Sequence, residues 1–246
     1  MKKKTKTRLD QILVDRNIAK TKNIAQSMIM AGQITVDNKI ITKSGTCISV
    51  DSKITIKKLH PTWVSRGALK LIKAIQHFNI IIKDKVCLDI GSSTGGFTEV
   101  LLKNNAKKIY SVDVGTNQLH EKLKKERKIV SIENFNARYI NEDIISDKID
   151  LLVCDVSFIS LKKVIYPSLN LLSNCSELIV LIKPQFETEK KNLHKGVVKD
   201  IKIHQEICNN IVDWFENTCK ANVIGVVESP IVGPKGNKEF LLYSLL

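Results

Sequence analysis

The chain has 246 residues, of which 43% are hydrophobic and 26% charged, and this balance excludes an intrinsically disordered protein. Its apolar runs fall far short of the roughly 20 residues that a membrane span needs, and no apolar segment typical of a signal peptide follows Met1. Six scattered cysteines predict buried thiols in a reducing compartment, and the five histidines lack metal-ligand spacing. We therefore expect a cytoplasmic protein without a membrane anchor or a bound metal.

The positive charge is concentrated at one end of the chain. The net charge is +14, and residues 1–60 contain 13 Lys and Arg against 4 Asp and Glu. Codon bias can explain why Lys outnumbers Arg, but it does not explain why the charge is unevenly distributed. A basic block of this kind is typical of proteins that bind a polyanion such as nucleic acid.

Residues 1–60 predict a small α+β domain. Thr7 is positioned to cap a first short helix, and Thr21 to cap a second helix that Gly32 ends. Turn residues and alternating apolar residues follow, which favours a small sheet. The predicted strands lie at residues 33–36, 40–41 and 53–57.

Pro61 interrupts this pattern, and we predict that residues 61–66 link the small domain to a larger one at 67–246. In the larger domain, apolar segments alternate with amphipathic ones, which predicts an α/β fold with a parallel sheet covered on both faces. The predicted strands are Val86–Ile90, Ile109–Asp113, Ile129–Ile132, Leu151–Asp155, Leu178–Ile182, Val223–Glu228 and Phe240–Leu245. The predicted helices are Arg66–Phe78, Phe97–Asn104, Asn117–Lys125, Leu161–Leu172 and Ile201–Cys219.

Polar motifs follow the predicted strands, at the sheet edge where ligands of α/β proteins bind. After the first strand comes a glycine-rich turn, 91–96, which has neither the dinucleotide fingerprint nor the spacing of a Walker loop. Asp113 ends the second strand, where a carboxylate can accept hydrogen bonds from ribose hydroxyls. Asp155 and Lys183 come at the ends of the fourth and fifth strands. The pattern indicates a nucleoside-bearing cofactor that lacks a polyphosphate.

Several sequence runs together resemble one protein family. In the small domain they are Arg8-Leu9-Asp10, Leu13-Val14, Ile18-Ala19, Ala25, Met28-Ile29, Gly32 and Val36. In the larger domain they are residues 64–71, 88–98, 112–115, 155–161, 181–187 and 233–240. With these runs the chain resembles the TlyA/hemolysin A family of ribosomal RNA 2′-O-methyltransferases, in which an S4 RNA-binding domain precedes an FtsJ-like methyltransferase domain.

The resemblance implies a Rossmann-like, seven-stranded sheet that uses S-adenosylmethionine, preceded by a small α+β RNA-binding domain. It implies a catalytic tetrad in which Lys183 acts on the 2′-hydroxyl, Asp155 orients that group, and Lys70 and Glu239 support both. A ribose hydroxyl is a very weak acid, so a positioned base is the chemistry that this reaction needs. The implied cofactor contacts are Asp89, Gly91, Gly95, Phe97, Asp113 and Asn136. The implied contacts to ribosomal RNA are Arg8, Lys20, Lys22 and Lys43.

The family has a longer form that acts on both ribosomal subunits and a shorter form that acts on the large one. The chain resembles the shorter form, which implies 2′-O-methylation of a cytidine in large-subunit (23S) ribosomal RNA. An amino-methylating enzyme would usually carry an Asn/Asp-Pro-Pro-aromatic run where this chain has Asp155-Val156-Ser157-Phe158, and a carbon-5 cytosine enzyme would need an accessible Cys154. A non-catalytic ribosome-assembly factor and a hemolysin are the remaining alternatives, and the lack of an amphipathic membrane helix disfavours the hemolysin.

Overall fold

The structure is a computed structural model that describes residues 6–19, 21–30, 32–56 and 63–246. The chain divides into two compact units, Met1–Thr62 and Trp63–Leu246. Lys20, one of the implied RNA contacts, and residues 61 and 62 of the expected linker lie outside the described residues.

The first unit is built around two short helices, α1 (Leu9–Asp15) and α2 (Lys22–Met30), that pack against each other. Their apolar side chains form a small buried core with residues of the neighbouring strands. The Thr21 hydroxyl accepts a hydrogen bond from the backbone amide of Ile24 at 3.3 Å, which confirms the predicted cap of the second helix. Gly32 follows that helix with a φ of +69°, the conformation expected at a helix end.

The prediction that Thr7 caps the first helix was wrong. Thr7 lies in β1 (Lys6–Arg8), which pairs antiparallel with β4 (Cys47–Ser49). Arg8 occupies the N-cap position of α1 and makes no side-chain capping bond. A three-residue strand whose partner lies far along the chain leaves no local pattern that sequence reasoning can detect.

A three-stranded antiparallel sheet completes the first unit. Its strands are ordered β3 (Lys39–Ile40), β2 (Ile34–Val36) and β5 (Ile54–Ile56). Asp37 and Asn38 both have positive φ, which is the backbone conformation of the tight hairpin turn that their sequence predicted.

The second unit contains a seven-stranded mixed sheet in the order β11-β12-β10-β9-β6-β7-β8. The strands are β6 (Val86–Ile90), β7 (Lys108–Val112), β8 (Ile129–Ile132), β9 (Ile149–Cys154), β10 (Leu172–Ile182), β11 (Asn222–Glu228) and β12 (Phe240–Leu245). All seven predicted strands are present, and their ends agree within two residues except at the start of β10, which begins at Leu172 and not at the predicted Leu178.

The prediction of a wholly parallel sheet was wrong for the last strand. β12 runs antiparallel to both of its neighbours, β10 and β11. Only residues 229–239 lie between β11 and β12, and a parallel crossover needs a dozen residues or more. The chain therefore returns antiparallel, and the start of β12 lies at the same sheet edge as the carboxyl ends of the other strands.

Helices cover both faces of this sheet. They are α3 (Ala68–Phe78), α4 (Gly96–Lys103), α5 (Glu121–Lys124), α6 (Lys162–Ser168), α7 (Pro184–Glu187) and α8 (Ile201–Asn217). Apolar residues of α3 and α4 form one buried cluster against the sheet, and those of α6 and α8 form another on the opposite face. Among the described residues, no helix is both long and apolar enough to cross a membrane.

Two helix predictions were wrong in their extent. Residues 117–120 are not helical, because the backbone amides of Asn117 and Leu119 donate to the carboxylate of Glu133 at 2.9 and 2.8 Å. The helix predicted to reach Leu172 is α-helical only to Ser168, and a 3₁₀ turn, Leu169–Leu171, follows it before β10 begins at Leu172.

Candidate active site

Four charged side chains meet at the carboxyl edge of the sheet. Lys70 lies in the first turn of α3, Asp155 and Lys183 follow β9 and β10, and Glu239 immediately precedes β12. The Nζ atom of Lys70 lies 3.0 Å from Asp155 Oδ2 and 2.8 Å from Glu239 Oε2. The Nζ atom of Lys183 lies 2.6 Å from Asp155 Oδ1. The structure thus brings together all four residues of the implied tetrad, with alternating charge.

The tetrad is largely shielded from water. Lys70 and Lys183 are each 7% exposed and Glu239 is 1% exposed, and charges buried to this degree are stable only when they are paired. Burial raises the pKa of Asp155, but its attraction to Lys70 and Lys183 outweighs this effect and holds the pKa below its usual range. Asp155 is therefore ionised at neutral pH.

The loop before β12 holds Glu239 in place. Gly233 packs so closely on Glu239 that a Cβ at this position would overlap the carboxylate. The buried Asn237 donates hydrogen bonds to the carbonyl oxygens of Gly196 at 3.0 Å and Pro234 at 3.1 Å. These contacts fix the path of the loop and hence the position of Glu239.

The glycine-rich turn between β6 and α4 adjoins the tetrad. Gly91 and Gly95 have φ values of +82° and +95°, which glycine adopts without strain. Gly91 packs on the backbone of Asp155, and a Cβ at Gly95 would overlap Leu119 and Leu123. The two glycines let the turn pack closely between the strand ends and the segment around α5.

Two adjoining cavities open at this edge. The smaller, of about 220 Å³, is lined by the tetrad together with Phe97, Ile231 and Gly233 among others. The larger, of about 400 Å³, is lined by Gly91, Asp113, Asn136 and Phe158 among others. Gly91, Ser93, Asp155 and Ser157 line both cavities. The arrangement places a pocket of ligand size directly beside the tetrad.

Backbone amides orient the polar groups of the larger cavity. Asp113 Oδ2 accepts a hydrogen bond from the amide of Ser93, and Oδ1 accepts one from the amide of Gly115, each at 2.7 Å. Asn136 Oδ1 accepts from the amide of Arg138 at 3.2 Å. Both side chains are therefore held in one orientation at the wall of the larger cavity, where the sequence predicts that a nucleoside binds.

Asp89 lies beneath the turn, away from the walls of the two cavities. It is 0% exposed, and its Oδ2 accepts a hydrogen bond from Thr98 Oγ1 at 2.6 Å. Burial raises the pKa of Asp89 to about 7, although the hydrogen bond from Thr98 opposes this shift. Its position is that of a group that supports the turn from inside the protein.

The implied RNA contacts of the first unit that the structure describes differ in their environment. Lys22 and Lys43 are exposed. Arg8 donates two hydrogen bonds to the buried carboxylate of Asp10, at 3.0 Å from Nε and 2.6 Å from Nη2. The guanidinium keeps the pKa of Asp10 well below its usual range. Arg8 therefore has a structural contact whether or not it meets RNA.

Sequence reasoning missed two residues of the site, Ser157 and Phe158. Ser157 Oγ accepts a hydrogen bond from Lys183 Nζ at 2.8 Å. Phe158 is 91% exposed and has a φ of +65°, and its ring lies 5.1 Å from that of Phe186. Their place directly after Asp155, at a strand end, was the one signal that could have identified them.

Comparison with known proteins shows the family to which the chain belongs. The family model described as FtsJ-like methyltransferase matches residues 63–244, and the model described as S4 domain matches residues 7–52. The chain belongs to the FtsJ-like methyltransferase family. The four residues of the tetrad lie within the range that the methyltransferase model matches.

Relatives of this FtsJ-like methyltransferase extend over both units. It is 36% identical over 240 residues to "16S/23S rRNA (cytidine-2′-O)-methyltransferase TlyA" of Mycobacterium tuberculosis, covering 97% of this chain and 89% of the relative. It is 42% identical over 194 residues to "23S rRNA (cytidine-2′-O)-methyltransferase TlyA" of Campylobacter jejuni, covering 75% and 72%. A solved structure titled "Putative hemolysin from Streptococcus thermophilus" matches with a TM-score of 0.77 and 35% identity, over 99% of this chain and 89% of that chain.

Proposed function

We propose that this FtsJ-like methyltransferase transfers a methyl group from S-adenosylmethionine to the 2′-oxygen of a cytidine in large-subunit ribosomal RNA. The observation that carries the proposal is the ion-paired tetrad, Glu239–Lys70–Asp155–Lys183, beside a cavity of nucleoside size. A protein that only binds the ribosome has no need for two buried lysines that share one carboxylate.

The larger cavity fits an adenosine-bearing cofactor. Asp113 would accept hydrogen bonds from ribose hydroxyls, and Asn136 together with the apolar Val114 and Ile159 would border the base. Gly91 lines both cavities, and because it has no Cβ the turn can pack directly on the backbone of Asp155. When bound, the cofactor supplies an electrophilic methyl group on a sulfonium.

The charges of the tetrad suit removal of a proton from a sugar hydroxyl. With all four groups ionised, two positive and two negative charges cancel, and a neutral Lys183 leaves the cluster with one net negative charge. We propose that the Lys183 ammonium group first loses a proton to solvent, and that the neutral amine then accepts the hydroxyl proton as the 2′-oxygen takes the methyl group. This restores neutrality, and Asp155 stabilises the ammonium group that forms again. Lys70 is held between Asp155 and Glu239, and its charge keeps Asp155 ionised and in place. Proximity of the acceptor oxygen to the donor methyl accounts for a further part of the rate.

The RNA substrate is proposed from the first unit and from the relatives. The S4 domain match coincides with the basic end of the chain, where Lys22 and Lys43 are exposed. The Mycobacterium relative is named for both 16S and 23S RNA and the Campylobacter relative for 23S RNA alone, each as a cytidine 2′-O-methyltransferase. A ribosomal substrate and six free cysteines support a location in the cytoplasm.

Two alternative functions have less support. A carbon-5 cytosine methyltransferase would need a reactive thiolate, whereas Cys154 is buried and burial raises the pKa of its thiol. A hemolysin, the activity for which the Streptococcus neighbour is titled, would not require the tetrad.

Purified protein, isolated ribosomal subunits and S-adenosylmethionine labelled in its methyl group test the proposal. We expect label in 23S RNA, at a linkage that resists alkaline hydrolysis because a 2′-O-methyl group blocks cleavage of the backbone. Label confined to protein, or no label with either subunit, would contradict the proposed reaction. Lysis of erythrocytes by a variant that lacks Lys183 would instead favour the hemolysin.

A further inference from the structure

A groove on the second unit continues outward from the larger cavity. It has a volume of about 530 Å³ and lies between the turn 137–139, α6 and the end of α8. It is lined by Arg138, Lys162, Lys163, Tyr166, Pro167, Trp214 and Thr218. Arg138 also lines the larger cavity, so the groove and the cavity share a wall. Whatever occupies the groove would lie next to the cavity proposed for the cofactor.

The exposed aromatic residues of the described chain cluster along this path. Tyr139 is 69% exposed, Phe158 91% and Tyr166 62%, and these are its largely exposed aromatic side chains. Phe158 lines the cavity, Tyr139 adjoins Arg138 at the shared wall, and Tyr166 lines the groove. Large aromatic rings are normally buried, and a group of exposed ones marks a surface that binds a partner.

The charge of the groove favours an anionic partner. Among the described residues, its lining includes three cations and no carboxylate. The Nζ atom of Lys162 lies 5.9 Å from the centre of the Trp214 ring, and the guanidinium carbon of Arg138 lies 5.8 Å from that of Tyr139. The nearby carboxylates of Glu187 and Asp213 line a separate depression on the other side of Lys162. Cations interleaved with exposed rings are the usual means of holding single-stranded nucleic acid.

We propose that the stacking surface, defined as Arg138, Tyr139, Lys162, Lys163, Tyr166 and Trp214, binds an unpaired segment of the substrate RNA. Tyr166 and Trp214 stack with bases, and the three cations contact phosphates. The inference rests on the proposed function and adds to it a second RNA-binding surface, separate from the S4 domain, that lies in the methyltransferase unit itself.

Stacking is tested in the full-length protein with Tyr166→Ala and the matched variant Tyr166→Phe. Binding of a single-stranded RNA oligonucleotide is measured by titration, together with the KM for ribosomal subunits. We expect Tyr166→Ala to weaken RNA binding and raise this KM about tenfold, and Tyr166→Phe to change both less than twofold, because the phenyl ring still stacks. Affinity for S-adenosylmethionine stays unchanged in both variants. Equal RNA affinity in all three proteins would overturn the role of Tyr166.

Phosphate binding is tested by the salt dependence of the same titration. The double variant Lys162→Ala/Lys163→Ala should lower the slope of log K against log salt by about 1.4, which is two phosphate contacts to a single strand. The control is Lys107→Ala/Lys125→Ala, two exposed lysines outside the lining of the groove. An identical reduction by both pairs would show only a general charge effect and overturn the proposal.

Tryptophan emission gives a direct readout of contact. Trp214 lies in the groove, and Trp63 does not line it. Oligonucleotide binding should quench the emission of the parent protein, and this quenching should disappear in Trp214→Phe. Quenching that persists in this variant would overturn the role of Trp214. If the parent protein methylates RNA and these variants bind and methylate RNA as the parent does, the proposed surface is wrong and the proposed function stands. Failure of the parent to methylate RNA would contradict the proposed function itself.

Discussion

Gly91 and Asp155 set the distance between the glycine-rich turn and the tetrad. A Cβ built on Gly91 would come within 2.8 Å of the carbonyl oxygen of Asp155, closer than non-bonded atoms approach. The positive φ of Gly91 and the position of Asp155 therefore depend on the same contact. We expect a change at this glycine to affect both cofactor binding and methyl transfer.

Gly91→Ala tests this coupling, with Gly236→Ala as its matched control. Both glycines have φ near +80°, but a Cβ at Gly236 would meet nothing within 4 Å. The control should lose about 1 kcal/mol in the free energy of unfolding from the backbone conformation alone, and keep its activity. Gly91→Ala should lose at least twice as much and bind S-adenosylmethionine at least tenfold more weakly. Equal losses of unfolding free energy in urea, and equal cofactor affinities in calorimetric titration, for the two variants would show that the contact with Asp155 has no consequence.

Lys183→Ala should separate cofactor binding from chemistry. The lysine contacts Asp155 and Ser157 in the smaller cavity, whereas the proposed nucleoside contacts line the larger one. We expect the single-turnover rate of methyl transfer to fall by about 10²–10⁴, the usual contribution of a positioned base, with cofactor affinity unchanged within about twofold. Lys107→Ala, at an exposed lysine, serves as the control. Full transfer by Lys183→Ala would refute the assigned role.

Gly233→Ala should act through Glu239. A Cβ at Gly233 would overlap the Glu239 carboxylate although the backbone of Gly233, with a φ of −73°, tolerates alanine. The displaced carboxylate can no longer hold Lys70, so we expect kcat to fall at least tenfold. Gly67→Ala is the control, since Gly67 also lines the smaller cavity but has room for a Cβ. A similar kcat for the two variants would contradict this link.

The buried Asp89 predicts a pH-dependent stability. Its pKa is about 7 in the folded protein against an ordinary 3.8, so the folded state binds more protons between these values. This group's contribution to the free energy of unfolding is fully present below pH 4 and declines as the pH rises to about 7.

Asp89→Asn mimics the protonated acid and should lack this decline. The variant and the parent should be similar in stability at pH 4.5, and the variant should be more stable at pH 8 by on the order of 4 kcal/mol. Urea unfolding followed by tryptophan emission reports on the second unit, which contains both Trp63 and Trp214. A stability difference that does not change with pH would contradict the assignment.

Arg8→Ala should weaken the first unit as well as any RNA contact. Without the guanidinium, the buried Asp10 keeps its hydrogen bond from Gln26 but loses its charge partner. We expect a lower melting temperature of the first unit, by circular dichroism, in Arg8→Ala and not in the exposed-lysine variant Lys43→Ala. Both variants should weaken RNA binding, because each removes a positive charge. Unchanged melting of Arg8→Ala would contradict the structural role of Arg8.

The fold of the second unit was largely predictable because its strands are short apolar runs between polar strand ends. The features of the fold that could not be predicted depend on contacts between residues that are far apart in the sequence. The carboxylate of Glu133 binds the amides of Asn117 and Leu119 and prevents a helix there, although the local pattern favours one. The antiparallel direction of β12 was predictable in principle from the short connection before it.

The candidate site, like the fold, was predictable only in part. Asp155 and Lys183 could be placed together from the rule that strand ends share one sheet edge. Lys70 and Glu239 could not, since one lies on a helix and the other before an antiparallel strand, and only the family resemblance indicated them. The place of Ser157 directly after Asp155 was a signal in the sequence, but its hydrogen bond to Lys183 could not be predicted, because that bond spans two loops.

We propose that the methyl acceptor is a sugar oxygen activated at Lys183. The most direct test is mass spectrometry of nucleosides from large-subunit RNA methylated in parallel by the parent protein and by Lys183→Ala. We expect one additional 2′-O-methylcytidine per subunit with the parent, and almost none with the variant at equal cofactor saturation. A methyl group on the cytosine base, or equal amounts of 2′-O-methylcytidine from both proteins, would contradict it.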